Sequence, residues 1–364
     1  MTTNEKDIGM KPTQAMRALG QSLWLDNITR DLLDQGTLKD YIDNYSITGL
    51  TSNPSIFDKA IKETGAYDAA IATLARRGLA GETLFNELAL DDLTRAADLL
   101  LPAYEASGGV DGYVSLEVSP LLADDSAATV KAALDLHARA KRPNLFIKIP
   151  GTTAGLAAIE ETIFAGVPVN ITLLFSREHY VAAAEAVMRG LERRLAAKLD
   201  PRVASVASLF VSRWDAAVKD DVSAQYHNRL GIAVAMRAYK AYREILASPR
   251  WMSLAAAGAM PQRLLWASTG TKDPAAPDTL YVDALGAPDT VNTLPEATLR
   301  AFADHGEVGT ALPVDGGYCE VVIEEFRREG IDDQALAARL QIEGAAAFSD
   351  SWNALLARIA EKSA

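Results

Sequence analysis

Residues 144–152 read NLFIKIPGT, a short apolar run that is typical of a buried β-strand and that carries a lysine at position 148. Burying an ammonium ion is costly unless the ion is paired or neutralised. Side chains alternate between the two faces of a strand, so Lys148 shares its face with Phe146 and Pro150. The stretch therefore predicts a strand whose lysine points into apolar surroundings.

Seven other runs have the same strand character and alternate with longer helical patterns. They are SLWLDN from Ser22, ITGLTSN from Ile47, YVSLEVS from Tyr113, VPVNITLLF from Val167, VASVASLFVS from Val203, RLLWAST from Arg263 and VNTLP from Val291. Helical patterns include Gly81–Ser107 and two segments that open with start signals at Ser126 and Ser176. Eight strands with intervening helices favour an eight-stranded parallel α/β barrel, and a doubly wound sheet of five or six strands is the alternative.

The segment from about Cys319 to the C-terminus predicts two or three further helices. No Pro/Gly-rich linker separates it from the preceding chain, so we expect a single domain over residues 1–364 with a helical extension at about 319–364. The extension could cover the barrel mouth, support an interface or add to the core. The sequence leaves that choice open, together with the oligomeric state, for which a homo-oligomer is one option.

The composition is that of an ordinary globular protein, with 49% apolar and 23% charged residues. Acidic residues outnumber basic ones by 48 to 36, and the net charge of -12 argues against a nucleic-acid partner. The single cysteine, Cys319, excludes an intrachain disulfide and fits a reducing compartment. The N-terminal MTTNEKDIGM lacks the apolar core of a signal peptide, and no apolar run approaches the roughly 18 residues of a membrane span. We therefore expect a cytoplasmic protein with no membrane contact.

Polar residues in the predicted strands share one parity and lie late in their strands, where barrel enzymes build their active sites. They are Asp26, Thr51, Asn53, Glu117, Asn170, Thr172 and Ser208. Taken singly, an Asp, Ser or Asn at a strand end is more often a cap or turn residue, and Asp26-Asn27 could simply open a helix. Glu117 and Lys148, which have matching parity, could form a structural ion pair. Six strands would each need such a separate explanation, which favours one common site.

A buried lysine in such a site suits Schiff-base chemistry. Apolar surroundings disfavour the charged form of an amine, and only the neutral amine attacks a carbonyl. The resulting iminium stabilises a carbanion at the adjacent carbon, so a carbon–carbon bond can be cleaved or formed. Glu117 and Asp26 are the candidate proton shuttles. The neutral donors that could orient the hydroxyls of a polyol substrate are Asn53, Asn170 and Thr172.

Competing chemistries have weaker support in the sequence. The histidines lack the paired spacing of metal ligands, and no GxSxG, Walker or GxGxxG motif occurs in the required context. Cys319 fits a packing thiol better than a nucleophile. Pyridoxal phosphate also forms a Schiff base with lysine, and the lysine alone does not exclude it.

Six segments between Trp24 and Asp215 together resemble the transaldolase family. They are WLDNITRDLL, TGLTSNPSIF, VSLEVSP, LFIKIPGT, VNITLLFS and ASLFVSRWD, in this order. The chain length and the segment WASTGTK are similar to the longer bacterial branch of that family. The resemblance implies an eight-stranded barrel, circularly permuted relative to ordinary class I aldolases.

The resemblance also implies an activity in the non-oxidative pentose phosphate pathway. A dihydroxyacetone unit would pass reversibly from sedoheptulose 7-phosphate or fructose 6-phosphate to glyceraldehyde 3-phosphate or erythrose 4-phosphate. No metal or organic cofactor is expected, and the partners are the sugar phosphate substrates.

Carried over motif by motif, the resemblance implies roles for single residues. Lys148 would form the Schiff base, and Glu117 would act through a bound water in its formation and hydrolysis. Asp26 would handle the hydroxyl proton during carbon–carbon cleavage, and Thr172 would position the catalytic water. The residues implied to bind substrate are Asn53 and Asn170 for the dihydroxyacetone hydroxyls, Ser208 and Arg213 for phosphate, and Phe210 as an apolar neighbour of the lysine.

One segment departs from the better-known branch of the family, which has an arginine as a second phosphate contact. Here the chain reads WASTGTK, so Lys272, together with Ser268, would take that place. Two alternatives remain in view. A fructose 6-phosphate aldolase would release free dihydroxyacetone, although its relatives typically have glutamine where this chain has Glu117. A catalytically silent sugar-phosphate-binding barrel would not require Lys148, Glu117 and Asp26 together.

Overall fold

The computed structural model describes residues 10–363 and contains a closed barrel of eight parallel strands in chain order. The strands are β1 (Ser22–Leu25), β2 (Ile47–Leu50), β3 (Val114–Glu117), β4 (Leu145–Pro150), β5 (Val169–Leu174), β6 (Ser205–Phe210), β7 (Gln262–Ala267) and β8 (Val291–Leu294). This arrangement confirms the predicted eight-stranded α/β barrel and excludes the doubly wound alternative. The expectation about a signal peptide concerns residues 1–10, of which 1–9 lie outside the described part of the chain.

Helices surround the barrel and follow its strands. Those before β4 are α1 (Pro12–Leu19), α2 (Arg30–Asp34), α3 (Thr37–Tyr45), α4 (Pro54–Glu63), α5 (Asp68–Arg76), α6 (Gly81–Ala106) and α7 (Ser126–Ala140). Those after β4 are α8 (Thr153–Ala165), α9 (Arg177–Ala196), α10 (Ser212–Val218), α11 (Leu230–Leu246), α12 (Pro249–Ala256), α13 (Leu280–Ala284), α14 (Glu296–His305), α15 (Cys319–Arg328) and α16 (Asp333–Ser363). None of the described helices is long and apolar enough to cross a membrane.

Side-chain caps set several of the helix starts that follow the strands. Ser176 accepts a hydrogen bond from the backbone N–H of His179, as its predicted role at the start of α9 requires. The predicted start signal at Ser126 is wrong by one residue, because Asp125 caps α7 and Ser126 is its first helical residue. The Asp125 carboxylate accepts the backbone N–H of Ala128, whereas the Ser126 hydroxyl donates to a carbonyl 28 residues further along the chain.

Aromatic side chains fill the interior of the barrel below its carboxyl end. The Phe146 ring lies 6.1 Å from the Trp24 ring and stacks on Tyr113 at 4.0 Å between centroids. A Cβ atom on Gly49 would lie 2.5 Å from the Trp24 ring, so only glycine lets β2 approach this layer. The layer forms an apolar floor beneath the later residues of each strand.

Strand β5 departs from regular alternation at its carboxyl end. Leu173 has a positive φ of 60°, and the register against β6 shifts between Ile171 and Leu174. Regular alternation in β5 therefore extends only to Thr172, because a left-handed residue interrupts the pleat. Thr172 is the last residue of this strand in the regular pattern.

The C-terminal segment forms two helices, and the second is about 46 Å long. Helix α16 packs along α4 and reaches the carboxyl ends of the strands at β5. There the Gln341 side chain donates hydrogen bonds to the carbonyls of Gly151, at 3.1 Å, and of Leu173, at 2.9 Å. Part of α16 therefore lies at the end of the barrel where the predicted polar residues collect.

Candidate active site

A cavity of about 250 Å³ opens at the carboxyl ends of the strands. Nine of the eleven residues predicted for the site line it, namely Asp26, Asn53, Lys148, Thr172, Ser208, Phe210, Arg213, Ser268 and Lys272. The other two, Glu117 and Asn170, are buried beside Lys148 on the adjacent strands. Five of these residues lie just beyond the strands rather than within them: Asp26, Asn53, Arg213, Ser268 and Lys272. The segments that follow the strands therefore help to build the site.

Strand register brings Glu117, Lys148 and Asn170 side by side on β3, β4 and β5. The Lys148 Nζ atom donates to the Glu117 carboxylate at 3.2 Å and to the Ser52 carbonyl at 3.2 Å. Lys148 is 5% exposed and Glu117 is 4% exposed. Burial raises the pKa of Glu117, and the charge of Lys148 opposes this shift. The two groups thus form a buried, directly bonded pair at the floor of the cavity.

Asp26 follows β1 and faces the same cavity. Its carboxylate accepts a hydrogen bond from the Thr51 hydroxyl at 2.7 Å, and Thr51 in turn contacts the Thr293 hydroxyl at 2.6 Å. Burial raises the pKa of Asp26, while the Thr51 hydrogen bond and the charges of Lys148 and Lys272 lower it. Asp26 does not open the following helix, because the Thr29 side chain caps α2.

The two predicted asparagines occupy different positions. Asn53 lines the cavity, and its side-chain oxygen caps α4 by accepting the backbone N–H of Ile56 at 3.1 Å. Asn170 lies fully buried, donates to the Ser115 hydroxyl at 3.0 Å and accepts from Ser208 at 2.7 Å. The cap role of Asn53 therefore coexists with its place at the cavity, and Asn170 braces β3, β5 and β6.

Two positively charged side chains line the cavity where β6 and β7 end. Arg213 belongs to α10, directly after β6, and Lys272 belongs to the loop after β7. Within residues 10–363 neither side chain forms a salt bridge with a carboxylate. The Ser212 and Ser268 hydroxyls lie 2.9 Å apart and join the two segments. The wall thus offers positive charge and a hydroxyl to an anionic group.

Reasoning from the sequence missed six residues of the cavity lining, namely Ser55, Ala267, Gly270, Thr293, Pro295 and Phe348. Two of them, Thr293 and Phe348, lie next to groups of the proposed chemistry. Thr293 on β8 has the same late, polar position as the predicted residues. Strand alternation alone does not select it, because Asn292 is also polar and falls on the opposite face. Phe348 comes from α16, and its ring centroid lies 5.3 Å from the Lys148 Nζ atom. No local signal in the sequence distinguishes Phe348 from an ordinary core residue of a helix. The predicted apolar neighbour, Phe210, lines the same cavity, and the Arg213 guanidinium lies 5.6 Å from the centroid of its ring.

None of the four histidines lines the cavity. Within the described residues, no group of three or more His, Cys, Asp or Glu side chains is arranged to hold a metal ion. Cys319 is buried in the first turn of α15, away from the cavity lining, as a packing thiol would be.

The chain is similar to known proteins over the whole barrel. The profile of the Transaldolase/Fructose-6-phosphate aldolase family matches residues 23–359. A transaldolase from Parafrankia sp. (strain EAN1pec) is 46% identical over 361 residues, which cover 97% of this chain and 98% of the relative. A transaldolase from Thiobacillus denitrificans is 44% identical over 96% of this chain and 100% of the relative.

A third relative, named transaldolase 2, from Nostoc punctiforme, is 43% identical over 95% of this chain and 96% of its own length. Identity at this level over nearly complete chains extends through the C-terminal helices, so the similarity is not confined to the barrel strands. The chain belongs to the Transaldolase/Fructose-6-phosphate aldolase family.

Proposed function

We propose that the protein has transaldolase activity and transfers a dihydroxyacetone unit from a ketose phosphate to an aldose phosphate through a Schiff base on Lys148. The observation that carries this proposal is the buried pair of Lys148 and Glu117, 3.2 Å apart, at the floor of a cavity with two cations at its wall. Sedoheptulose 7-phosphate and fructose 6-phosphate are the proposed donors. The names of the full-length relatives support the reaction class.

Schiff-base formation begins with proton transfer from Lys148 to Glu117, which frees the amine. The amine attacks the ketone carbon of the donor, and the carbinol oxygen leaves as water once it has been protonated. Glu117 acts in these proton transfers, through a water that Thr172 positions. Glu117 Oε1 and Thr172 Oγ1 have no hydrogen-bond partner among the described residues, so both are free to bind that water.

Carbon–carbon cleavage then uses Asp26. Its carboxylate removes the proton of the hydroxyl next to the scissile bond, the aldose phosphate leaves with a carbonyl, and the bonding electrons move into the iminium to form an enamine. An acceptor aldose phosphate reverses these steps: the enamine attacks its carbonyl and Asp26 returns the proton. Hydrolysis of the new Schiff base releases the product ketose and regenerates Lys148.

Substrate binding is assigned by position in the cavity. We assign the phosphate to Arg213, Lys272 and Ser268 at the wall of β6 and β7, with Ser208 below them. We assign the hydroxyls of the dihydroxyacetone unit to Asn53, which lines the cavity, and to Asn170, which is buried next to Lys148 on the adjacent strand. Phe210 adds apolar surface to the same wall.

Borohydride reduction in the presence of fructose 6-phosphate tests the proposal directly. Reduction of the iminium should fix a dihydroxyacetone adduct on the peptide that contains Lys148, and mass analysis locates it. Lys148→Arg keeps the charge but cannot form the imine, so it should show no adduct. Unmodified Lys148 in folded, reduced wild-type protein would overturn the mechanism.

Dependence on an acceptor separates transfer from aldolase activity. A transaldolase turns over fructose 6-phosphate only when an aldose phosphate such as erythrose 4-phosphate is present. Continuous release of free dihydroxyacetone without an acceptor would assign the chain to the aldolase side of its family. A catalytically silent barrel would bind the sugar phosphate and yield neither the adduct nor turnover.

A further inference from the structure

Phe348, from the C-terminal helix, lies beside the proposed nucleophile Lys148. Its ring centroid lies 5.3 Å from the Lys148 Nζ atom, within the range in which an aromatic face attracts a cation. The side chain lines the cavity and is 9% exposed, so part of the ring faces the space that a substrate would occupy. Phe348 lies 200 residues after Lys148 and comes from the C-terminal helix α16.

The position of Phe348 is set by contacts of α16 with the strand ends. Gln341 donates to the carbonyls of Gly151 and Leu173, which holds the helix against the irregular end of β5. One turn later, a Cβ atom on Gly344 would lie 3.0 Å from the Leu173 side chain, so the glycine allows close approach. Phe348 lies one turn further along the same face of the helix, so its ring lies next to Lys148.

Charge at Nζ changes during the proposed reaction. In the free enzyme, Glu117 pairs with the Lys148 ammonium at 3.2 Å. Once the Schiff base forms, the nitrogen carries the positive charge of an iminium, and after cleavage it belongs to an electron-rich enamine. A fixed aromatic face beside this nitrogen stabilises the iminium and excludes water from one side of it.

We propose that Phe348 shields the Schiff base, stabilising the iminium and keeping the bound dihydroxyacetone unit available for transfer rather than for release by water. This inference rests on the proposed Schiff-base function. It assigns to α16 a part in the reaction, in addition to its packing against α4, α5 and α6.

The reaction that Phe348 is proposed to suppress is a simple hydrolysis. A proton adds to the nucleophilic carbon of the enamine, which converts the enamine into an iminium. Water then adds to the carbon bonded to nitrogen, and the carbon–nitrogen bond breaks. Free dihydroxyacetone leaves, and the Lys148 amine is regenerated. Water supplies the oxygen and the protons, so no oxidant, reductant or further reactant is needed.

The test compares Phe348→Leu with a matched packing variant of the same helix. Leucine preserves an apolar side chain but removes the aromatic face. Trp352→Leu also removes a buried aromatic ring from α16, but Trp352 packs edge-to-face on Phe85 at 5.2 Å and does not line the cavity. For each variant, the rate of dihydroxyacetone release without acceptor is divided by the rate of transfer from fructose 6-phosphate to erythrose 4-phosphate.

We expect Phe348→Leu to raise this ratio about tenfold and Trp352→Leu to leave it near the wild-type value. Phe348→Met is a second variant in case the leucine variant folds poorly, and circular dichroism checks folding of each. An unchanged ratio in a folded Phe348 variant, or an equal rise in Trp352→Leu, would overturn the inference. Borohydride trapping of the wild-type adduct is measured in parallel: its absence refutes the proposed function itself, whereas trapping with an unchanged ratio refutes only the role of Phe348.

Discussion

At the scale of single residues, the burial of Lys148 has a cost that its neighbours offset. The ammonium donates to Glu117 and to the Ser52 carbonyl, and the ring of Phe348 lies 5.3 Å away. A buried ion pair gives little net stability compared with apolar residues of the same size. The pair is therefore better explained by the chemistry of its site than by the stability of the barrel.

Replacing Arg213 with alanine should weaken phosphate binding without disturbing the Schiff base. A charge-assisted hydrogen bond contributes roughly 1.5–3 kcal/mol, so we expect KM for fructose 6-phosphate to rise about tenfold or more. Borohydride trapping with unphosphorylated dihydroxyacetone should proceed at the wild-type rate, because that ligand makes no phosphate contact.

Arg142→Ala is the matched control for this substitution. Arg142 is a surface arginine paired with Asp98, outside the cavity lining, and its replacement should leave KM unchanged. An unchanged KM in Arg213→Ala would remove Arg213 from the phosphate site. A loss of trapping with dihydroxyacetone would instead show that the substitution disturbs the Schiff-base centre.

At the scale of elements, the seven-residue helix α10 holds Arg213 through a buried anchor two residues further along. The Asp215 carboxylate accepts the backbone N–H groups of Leu230 and Gly231 at the start of α11. It also accepts the Tyr281 hydroxyl of α13 at 2.8 Å. Asp215 thereby ties together three segments around the phosphate wall. Burial raises the pKa of Asp215 to about 6, against the lowering effect of these hydrogen bonds.

This raised pKa makes a pH-dependent contribution to stability. The folded state binds the Asp215 proton more tightly than the unfolded state, so the contribution is fully present below about pH 4 and is lost as pH rises through about 6. Relative to Asp215→Asn, the wild-type free energy of unfolding should fall by up to about 3 kcal/mol over this range and then level off.

Urea unfolding of both proteins between about pH 4 and pH 8 measures the effect of Asp215. Asp135→Asn, an exposed aspartate on α7, controls for the general influence of removing one negative charge. A constant difference between wild type and Asp215→Asn across the range would show that Asp215 does not titrate as the structure implies.

At the scale of the whole molecule, the C-terminal helices join the barrel through a network of charges. The Arg237 guanidinium of α11 is 7% exposed and bonds to Asp333 at 2.8 Å and to Glu320. Arg327 also bonds to Asp333, at 2.7 Å. Asp333 is the first residue of α16, so this network fixes the start of the helix that carries Phe348.

Asp333→Ala should loosen α16 and destabilise the protein by roughly 3 kcal/mol, because it leaves the buried Arg237 with only one of its two carboxylate partners. Hydrogen exchange should quicken over residues 333–363 before it does so in the barrel strands, and urea unfolding gives the total loss. Glu343→Ala, an exposed position on the same helix, should change neither quantity. If hydrogen exchange in Asp333→Ala quickened equally in α16 and in the barrel strands, the prediction that α16 loosens by itself would be wrong.

The sequence by itself determined the barrel and most of the candidate site. Strand alternation is a local property, so the shared parity of Lys148, Glu117 and Thr172 follows from the order of residues within each strand. Parallel strands also end together at one face of a barrel, which predicts that such residues meet there. In β8 this reasoning is not sufficient, because Asn292 and Thr293 are both polar and lie on opposite faces of the strand.

Only the tertiary structure decided what depends on distant contacts or local irregularity. The left-handed Leu173 ends the alternation of β5, and the pattern of VNITLLF gives no sign of it. The docking of α16 brings Phe348 over a lysine 200 residues earlier in the chain. Helical periodicity predicts that Phe348 faces inward but not what it faces, because the partner surface is formed by strands that are distant in the sequence.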